Sequence, residues 1–158
     1  MAKNSEETTS NVADSDEQLI ELFAGHGITR DNAAHFRGRL DRQLLMARCG
    51  DCGRWQHPTR PMCPACWSWD MQLEEVAGRG TIHLLMKLHQ GPAADGVDYE
   101  GGHPVVTVEL EEQPALRFTS TVTADFPTDQ VAIGTPVELE WTERDGIPMP
   151  VFAPAVSS

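Results

Sequence analysis

Four cysteines set in two pairs constrain this chain more than any other feature. Cys49-Gly50-Asp51-Cys52 and Cys63-Pro64-Ala65-Cys66 are two C-x-x-C knuckles with ten residues between them. A two-residue spacer turns both sulfurs of a knuckle toward one point, and the intervening loop brings the second pair round to complete a tetrahedron. Four thiolates at this spacing suit zinc, with tetrahedral iron and a redox-active dithiol as the competing readings. Protein fills all four positions, so the metal has no open site for catalysis and its role is structural. It lets a segment fold whose own apolar core is too small. Gly53 follows the first pair, where a positive φ is often needed, and Trp67 stands at the corresponding place after the second.

Cysteines used this way belong to a reducing compartment. The first residues, through Gln18, are polar and acidic with no apolar signal core, and no run approaches the length of a membrane span. The chain therefore reads as cytoplasmic, with no membrane partner. With 158 residues, one domain or a small pair is expected.

Net charge is −12, unevenly spread: −5 over residues 1–29, +4 over 30–60 and −11 over 61–158. The acidic C-terminal part repels a phosphate backbone and counts against nucleic-acid binding. The arginine-rich middle suits a smaller anion, an acidic partner, or simply a solvated helix face.

Residues 1–13 are too polar to offset chain entropy and are expected to be disordered. Residues 14–47 read as two helices. Asp14 or Ser15 caps the first, which runs through Phe23, and Gly25 and Gly27 end it. Asp31 caps the second, to about Met46, with Ala33, Phe36, Leu40 and Leu44 as its apolar stripe. Gly38 in its middle marks a close packing contact. Residues 48–72 form the metal ribbon. Short β-rich runs follow at 80–89, 104–111, 115–123, 135–142 and 147–152, separated by turn formers. Their spacing predicts a small barrel over 73–154, so the class is mainly β. Residues 90–102 read as a long mobile loop, and 127–133 as one helical turn between strands.

Candidate chemistry outside the cysteines is thin. Six histidines (His26, His35, His57, His83, His89 and His103) sit in no metal or triad motif, and a lone histidine is more often a surface or core residue. His83 and His89 share a predicted strand at even spacing, which puts both on one face. No nucleophile elbow, P-loop or dinucleotide fingerprint is present. The chain alone is thus expected to lack catalytic residues. Trp55, Trp67 and Trp69 lie on or beside the ribbon, either packed around the metal or forming an aromatic platform at an interface.

Six short stretches, in this order and spacing, carry a family resemblance: His35-Phe36-Arg37-Gly38, residues 45–53, residues 58–66, Gly78-Arg79-Gly80-Thr81, residues 133–137 and residues 150–154. With them the chain resembles, over roughly residues 30–154, the acyl-CoA-associated proteins with N-terminal helices, a rubredoxin-like zinc ribbon and a C-terminal five-stranded OB-fold barrel. Trp67 and Trp69 depart from it, since smaller residues commonly follow the last cysteine. The resemblance implies a non-catalytic auxiliary subunit of a thiolase-superfamily enzyme, a thiolase or aldolase acting on carbon–carbon bonds of acyl-CoA, in a complex with two copies of each chain. It implies that the barrel shapes the channel for a shared CoA thioester. Within that frame Arg37, Arg39, Arg42, Arg48, Trp67 and Tyr99 are candidate contacts to CoA or the partner, because guanidinium forks match phosphate geometry. Salt bridges to the partner or to the acidic barrel are the rival use of the arginines. The alternative function is a nucleic-acid-binding ribbon and OB-fold module, which needs a basic face with stacking aromatics.

Overall fold

The computed structural model describes residues 15–156; the tail expected over 1–13 lies outside them. Helix α1 spans Asp16–Leu22. Ser15 caps it through a full capping box: its side chain accepts from the Gln18 backbone N–H, and the Gln18 side chain accepts from the Ser15 N–H. Leu19 and the C-cap Phe23 are its buried residues.

Helix α2 spans Ala33–Leu40, shorter than the expected 31–46. Its N-cap is Asn32 rather than Asp31, and the Asn32 side chain holds the preceding turn instead of the helix, accepting from Thr29 N–H at 2.7 Å. The helix stops because the chain turns back on it. Gln43 N–H donates to Gly38 O at 2.8 Å, and Arg42 adopts a left-handed φ of 56°. Leu44 and Met46 remain buried, but as extended chain. The most deeply buried α2 positions are His35 and Gly38, not the expected stripe. A Cβ on Gly38 would lie 2.7 Å from the Leu45 side chain, so the expected close contact is present.

Strand β1 (Leu45–Cys49) is the centre of a three-stranded antiparallel ribbon, between β2 (Trp55–Gln56) and β3 (Met71–Glu75). Pairing on both edges is what makes Leu45–Cys49 a strand: tertiary hydrogen bonds override a spacing that also suits a helix.

Five strands follow: β4 (Arg79–Leu88), β5 (His103–Leu110), β6 (Arg117–Ser120), β7 (Pro136–Arg144) and β8 (Ile147–Pro154). They form one antiparallel sheet in the order β6-β5-β4-β7-β8. The sheet curls until its two ends meet. Val122, just past β6, bridges Phe152 in parallel, with Thr123 N–H on Phe152 O at 2.9 Å and Phe152 N–H on Thr121 O at 3.0 Å. A five-stranded barrel closed by one parallel contact between its third and fifth strands is the OB arrangement. The β7–β8 hairpin closes on Asp145 and Gly146, at φ 53° and 75°, the two left-handed residues a type I′ turn requires. Residues 127–133 form turns rather than the expected helical turn.

A β-bulge between Ile82 and Leu84 corrects the reading of His83 and His89. His83 is the extra residue and His89 lies beyond the strand, so period-2 alternation does not relate them. The bulge leaves Leu84, Met86 and Leu88 exposed together on one face of β4.

The core is continuous across ribbon and barrel. Leu44, Met46 and Val76 from the ribbon side cluster with Ile82, Val106, Val108, Phe118 and Phe152 of the barrel. The β5–β6 turn grips the ribbon from outside that core. Gln113 pairs with the backbone of Trp55 like an added strand residue, accepting from its N–H at 2.9 Å and donating to its carbonyl at 3.1 Å. Glu112 accepts from Ala77 N–H at 2.6 Å, and Arg79 pairs with Glu111. No helix among the described residues is long and apolar enough to cross a membrane.

Candidate metal centre and its surroundings

The two knuckles are near copies of one another. Cys49 N–H donates to Arg54 O at 2.9 Å and Gly53 N–H to Cys49 O at 2.8 Å; in the second, Cys63 N–H donates to Ser68 O and Trp67 N–H to Cys63 O, both at 2.9 Å. Each knuckle needs a left-handed residue after its second cysteine. Gly53 supplies it at φ 71° and Trp67 at φ 66°. A side chain there costs about 1–2 kcal/mol, so the second knuckle carries strain that the first does not. The knuckles are tied together through Ser68 Oγ, which donates to Asp51 at 2.5 Å, and through Gly50 N–H on Asp70 O at 2.8 Å.

This frame brings the four sulfurs within 4.8 Å of one another. Cys49 and Cys66 are 3.5 Å apart, and Cys52 and Cys63 3.6 Å. Zinc–sulfur bonds of about 2.3 Å in a tetrahedron place sulfurs roughly 3.8 Å apart, so the cradle fits that ion. The electrostatics agree. Backbone N–H groups of Cys66 and Ala65 aimed at Cys63 draw its pKa down to about 7, and those of Cys52 and Asp51 lower Cys49. The Ser68 N–H favours the Cys66 thiolate, yet the neighbouring sulfurs, Cys52 foremost, together with burial push it up to about 12. Thiolates this crowded ionise together only when a cation sits among them. Cys49 and Cys63 face the interior, while Cys52 and Cys66 are exposed.

The candidate arginines are spread out and internally engaged. Arg37 pairs with Asp16 at 2.6 Å, Arg42 with Glu143 of the barrel at 2.9 Å, and Arg48 with Glu74 at 3.0 Å. Arg48 also lies over Trp55, 5.3 Å from its ring centre. Arg39 lies 5.0 Å over Phe23 and 5.5 Å over Phe36, a half-buried cation held by ring faces. Tyr99 closes its own loop, donating to Pro92 O at 2.9 Å.

The tryptophans divide. Trp55 packs against the core. Trp67 and Trp69 are each 73% exposed. Packing therefore accounts for Trp55, against the shared apolar core and not around the metal, and it does not account for the other two.

Sequence reasoning missed a histidine seam. The His35 and His57 rings lie 5.4 Å apart between α2 and the ribbon, with Phe118 of the barrel 5.5 Å from His57 and Phe36 5.2 Å from His35. His35 Nδ1–H donates to Leu45 O at 2.6 Å. Burial lowers both pKa values, that of His57 to about 4, with Arg39 adding to the effect at His35 and His35 to that at His57. Each histidine meets its partner only through the fold, so no local motif could have announced the pair.

Residues 36–72 match the family model described as ChsH2, rubredoxin-like zinc ribbon domain. The chain is 37% identical over 130 residues to a probable enoyl-CoA hydratase alpha subunit of Thermomonospora curvata, covering 82% of this chain and 39% of that protein. A DUF35 domain-containing scaffold protein of Pyrococcus furiosus is 28% identical over 105 residues, covering 66% of this chain and 71% of that one. Among solved structures, the Ltp2-ChsH2(DUF35) aldolase is similar with a TM-score of 0.71 at 35% identity, over 82% of this chain and 98% of that chain. The chain thus spans about two fifths of the hydratase subunit and almost all of the aldolase chain it matches.

Proposed function

The chain belongs to the DUF35 family, with a ChsH2-type rubredoxin-like zinc ribbon, and from that premise we propose that it is a non-catalytic auxiliary subunit of an enzyme acting on acyl-CoA. The partner in this reading is a thiolase-superfamily chain, a thiolase or retro-aldolase, with two copies of each chain in the complex. The observation that carries it is the match along nearly the whole of one chain of the Ltp2-ChsH2(DUF35) aldolase. The relative named as a hydratase subunit favours a second reading, in which the partner is an enoyl-CoA hydratase.

Cys49, Cys52, Cys63 and Cys66 hold one zinc in this proposal. Zinc there neutralises the crowded thiolates and fixes both knuckles; it supplies no reaction step. The helices α1 and α2, the ribbon β1–β3 and the barrel β4–β8 are the working segments, with the ribbon starting at Leu45 rather than at residue 48. Trp67 and Trp69 anchor the partner contact. Exposed tryptophan is the residue type most often central to interfaces, and Trp67 holds its exposed position at a backbone cost. The loop over residues 90–102, with Tyr99, orders along the channel for the shared CoA thioester. Arg37, Arg42 and Arg48 reach CoA phosphates only by leaving their carboxylates, so their role is secondary to the tryptophans.

Co-expression with a thiolase-superfamily chain and, separately, with an enoyl-CoA hydratase chain tests this. A stoichiometric complex whose acyl-CoA turnover needs both chains is expected with the first. Complex formation with the hydratase alone selects the second reading. Turnover by this chain unaided, or less than one metal per purified chain, overturns the assignment.

A further inference from the structure

The helices are fastened to the rest of the molecule by an unusual joint. His35 on α2 and His57 on the ribbon face one another in a box completed by Phe36 and Phe118. His57 Nδ1 is buried with no hydrogen-bond partner among the described residues. His35 is buried, and its one polar contact, to the Leu45 carbonyl, is satisfied by the neutral ring. The charges acting on the pair are those of Arg39 and of the two rings themselves, all cationic when charged. The other cations on the elements packed here are committed elsewhere: Arg37 to Asp16, Arg48 to Glu74 and Arg117 to Glu109. A proton on either ring therefore meets a second imidazole, and at His35 also a guanidinium, with no carboxylate among the described residues acting on the pair to offset it.

We propose that the His35–His57 pair is an acid-sensitive latch, whose protonation releases α1 and α2 from the ribbon while the barrel stays closed. Release is local because the two layers are held differently. Barrel and ribbon share one continuous core that takes no residue from α1 or α2, and the barrel has a closed hydrogen-bond circuit. The helices hold on through the aromatic seam, the packing of α2 against β1 and β8, the Gly38–Leu45 contact and the exposed Arg42–Glu143 pair. In the released state both imidazoles regain water and their ordinary basicity, so protons pull the equilibrium open.

Hydrogen exchange on the zinc-loaded full chain, corrected for intrinsic rates, tests this at pH 7 and pH 5.5. With His57 held near pKa 4 when latched and about 6.5 when released, opening of α2 rises about eightfold between these values. Amides of β4 and β5 keep their protection. The variant His57→Phe keeps the ring contact and removes the eightfold His57 share of the pH dependence. Because that variant can fail to fold, the wild-type histidine ring protons are followed by NMR in parallel. Protonation of His57 near pH 6.5 with α2 still protected overturns the latch. So does loss of protection in helices and barrel together, or an unchanged pH dependence in His57→Phe.

Discussion

Gln113→Ala is the cleanest perturbation of the joint between ribbon and barrel. The side chain amide makes two hydrogen bonds to the Trp55 backbone, at 2.9 Å and 3.1 Å, and neither residue is fully exposed. Strand β2 is only two residues long, and this amide serves its open edge. Truncation removes two bonds worth about 1 kcal/mol each and leaves a half-buried N–H and carbonyl to find water, so the net loss is about 2 kcal/mol. For a chain of this size that lowers Tm by about 4–8 °C. Gln113→Glu keeps the acceptor for Trp55 N–H but sets a carboxylate oxygen against Trp55 O, so it falls at least as far. Urea unfolding of the zinc-loaded protein, followed by tryptophan fluorescence, reads the difference as a shift in midpoint at constant slope. A loss under about 0.5 kcal/mol for Gln113→Ala means that water replaces the amide without penalty, and the clamp is then no part of the joint.

Other expectations are as direct. Trp67→Gly relieves the left-handed strain while giving up little buried area, so the zinc-loaded chain gains about 0.5–1 kcal/mol in urea unfolding, and the same variant binds the partner more weakly. Phe152→Ala empties the barrel centre at a fully buried position and costs about 3–5 kcal/mol, read from the denaturation midpoint. Acid should weaken the latched state through His57. Its latched pKa of about 4 lies below the ordinary 6.5, so the released or unfolded chain takes up the proton first. The latched state is fully stable above pH 6.5 and loses about 3 kcal/mol relative to those states as pH drops to 4, read as hydrogen-exchange protection of α2 across that range; a flat profile contradicts it.

The parts of this fold legible in the sequence are those fixed locally. The knuckle geometry follows from a two-residue spacer, and the five barrel strands from β-rich runs set between turn formers. The α1 cap was legible to within one residue, Asp14 or Ser15, and the box that Ser15 forms with Gln18 selects Ser15. What escaped depends on distant partners. Leu44 fits a helical stripe until β2 and β3 claim the backbone that follows it from both sides. The β4 bulge leaves no residue-type signature at His83. The arginines offered two uses, and which carboxylate each one meets is decided only when Glu74 and Glu143 arrive beside Arg48 and Arg42.

The shared core has a consequence for portability. A ribbon excised at residues 48–72 would lose the first half of β1, and with it the strand that both of its neighbours pair to. A barrel kept as residues 73–154 alone would lose Leu44 and Met46, two of the most deeply buried side chains of the shared core. Neither piece is a cassette that can be moved to another protein. Transplanting the metal site requires carrying Leu44 through Val76 together with the barrel wall they rest on. Insertions that leave the fold intact belong instead in the 90–102 loop, which contributes no residue to that core.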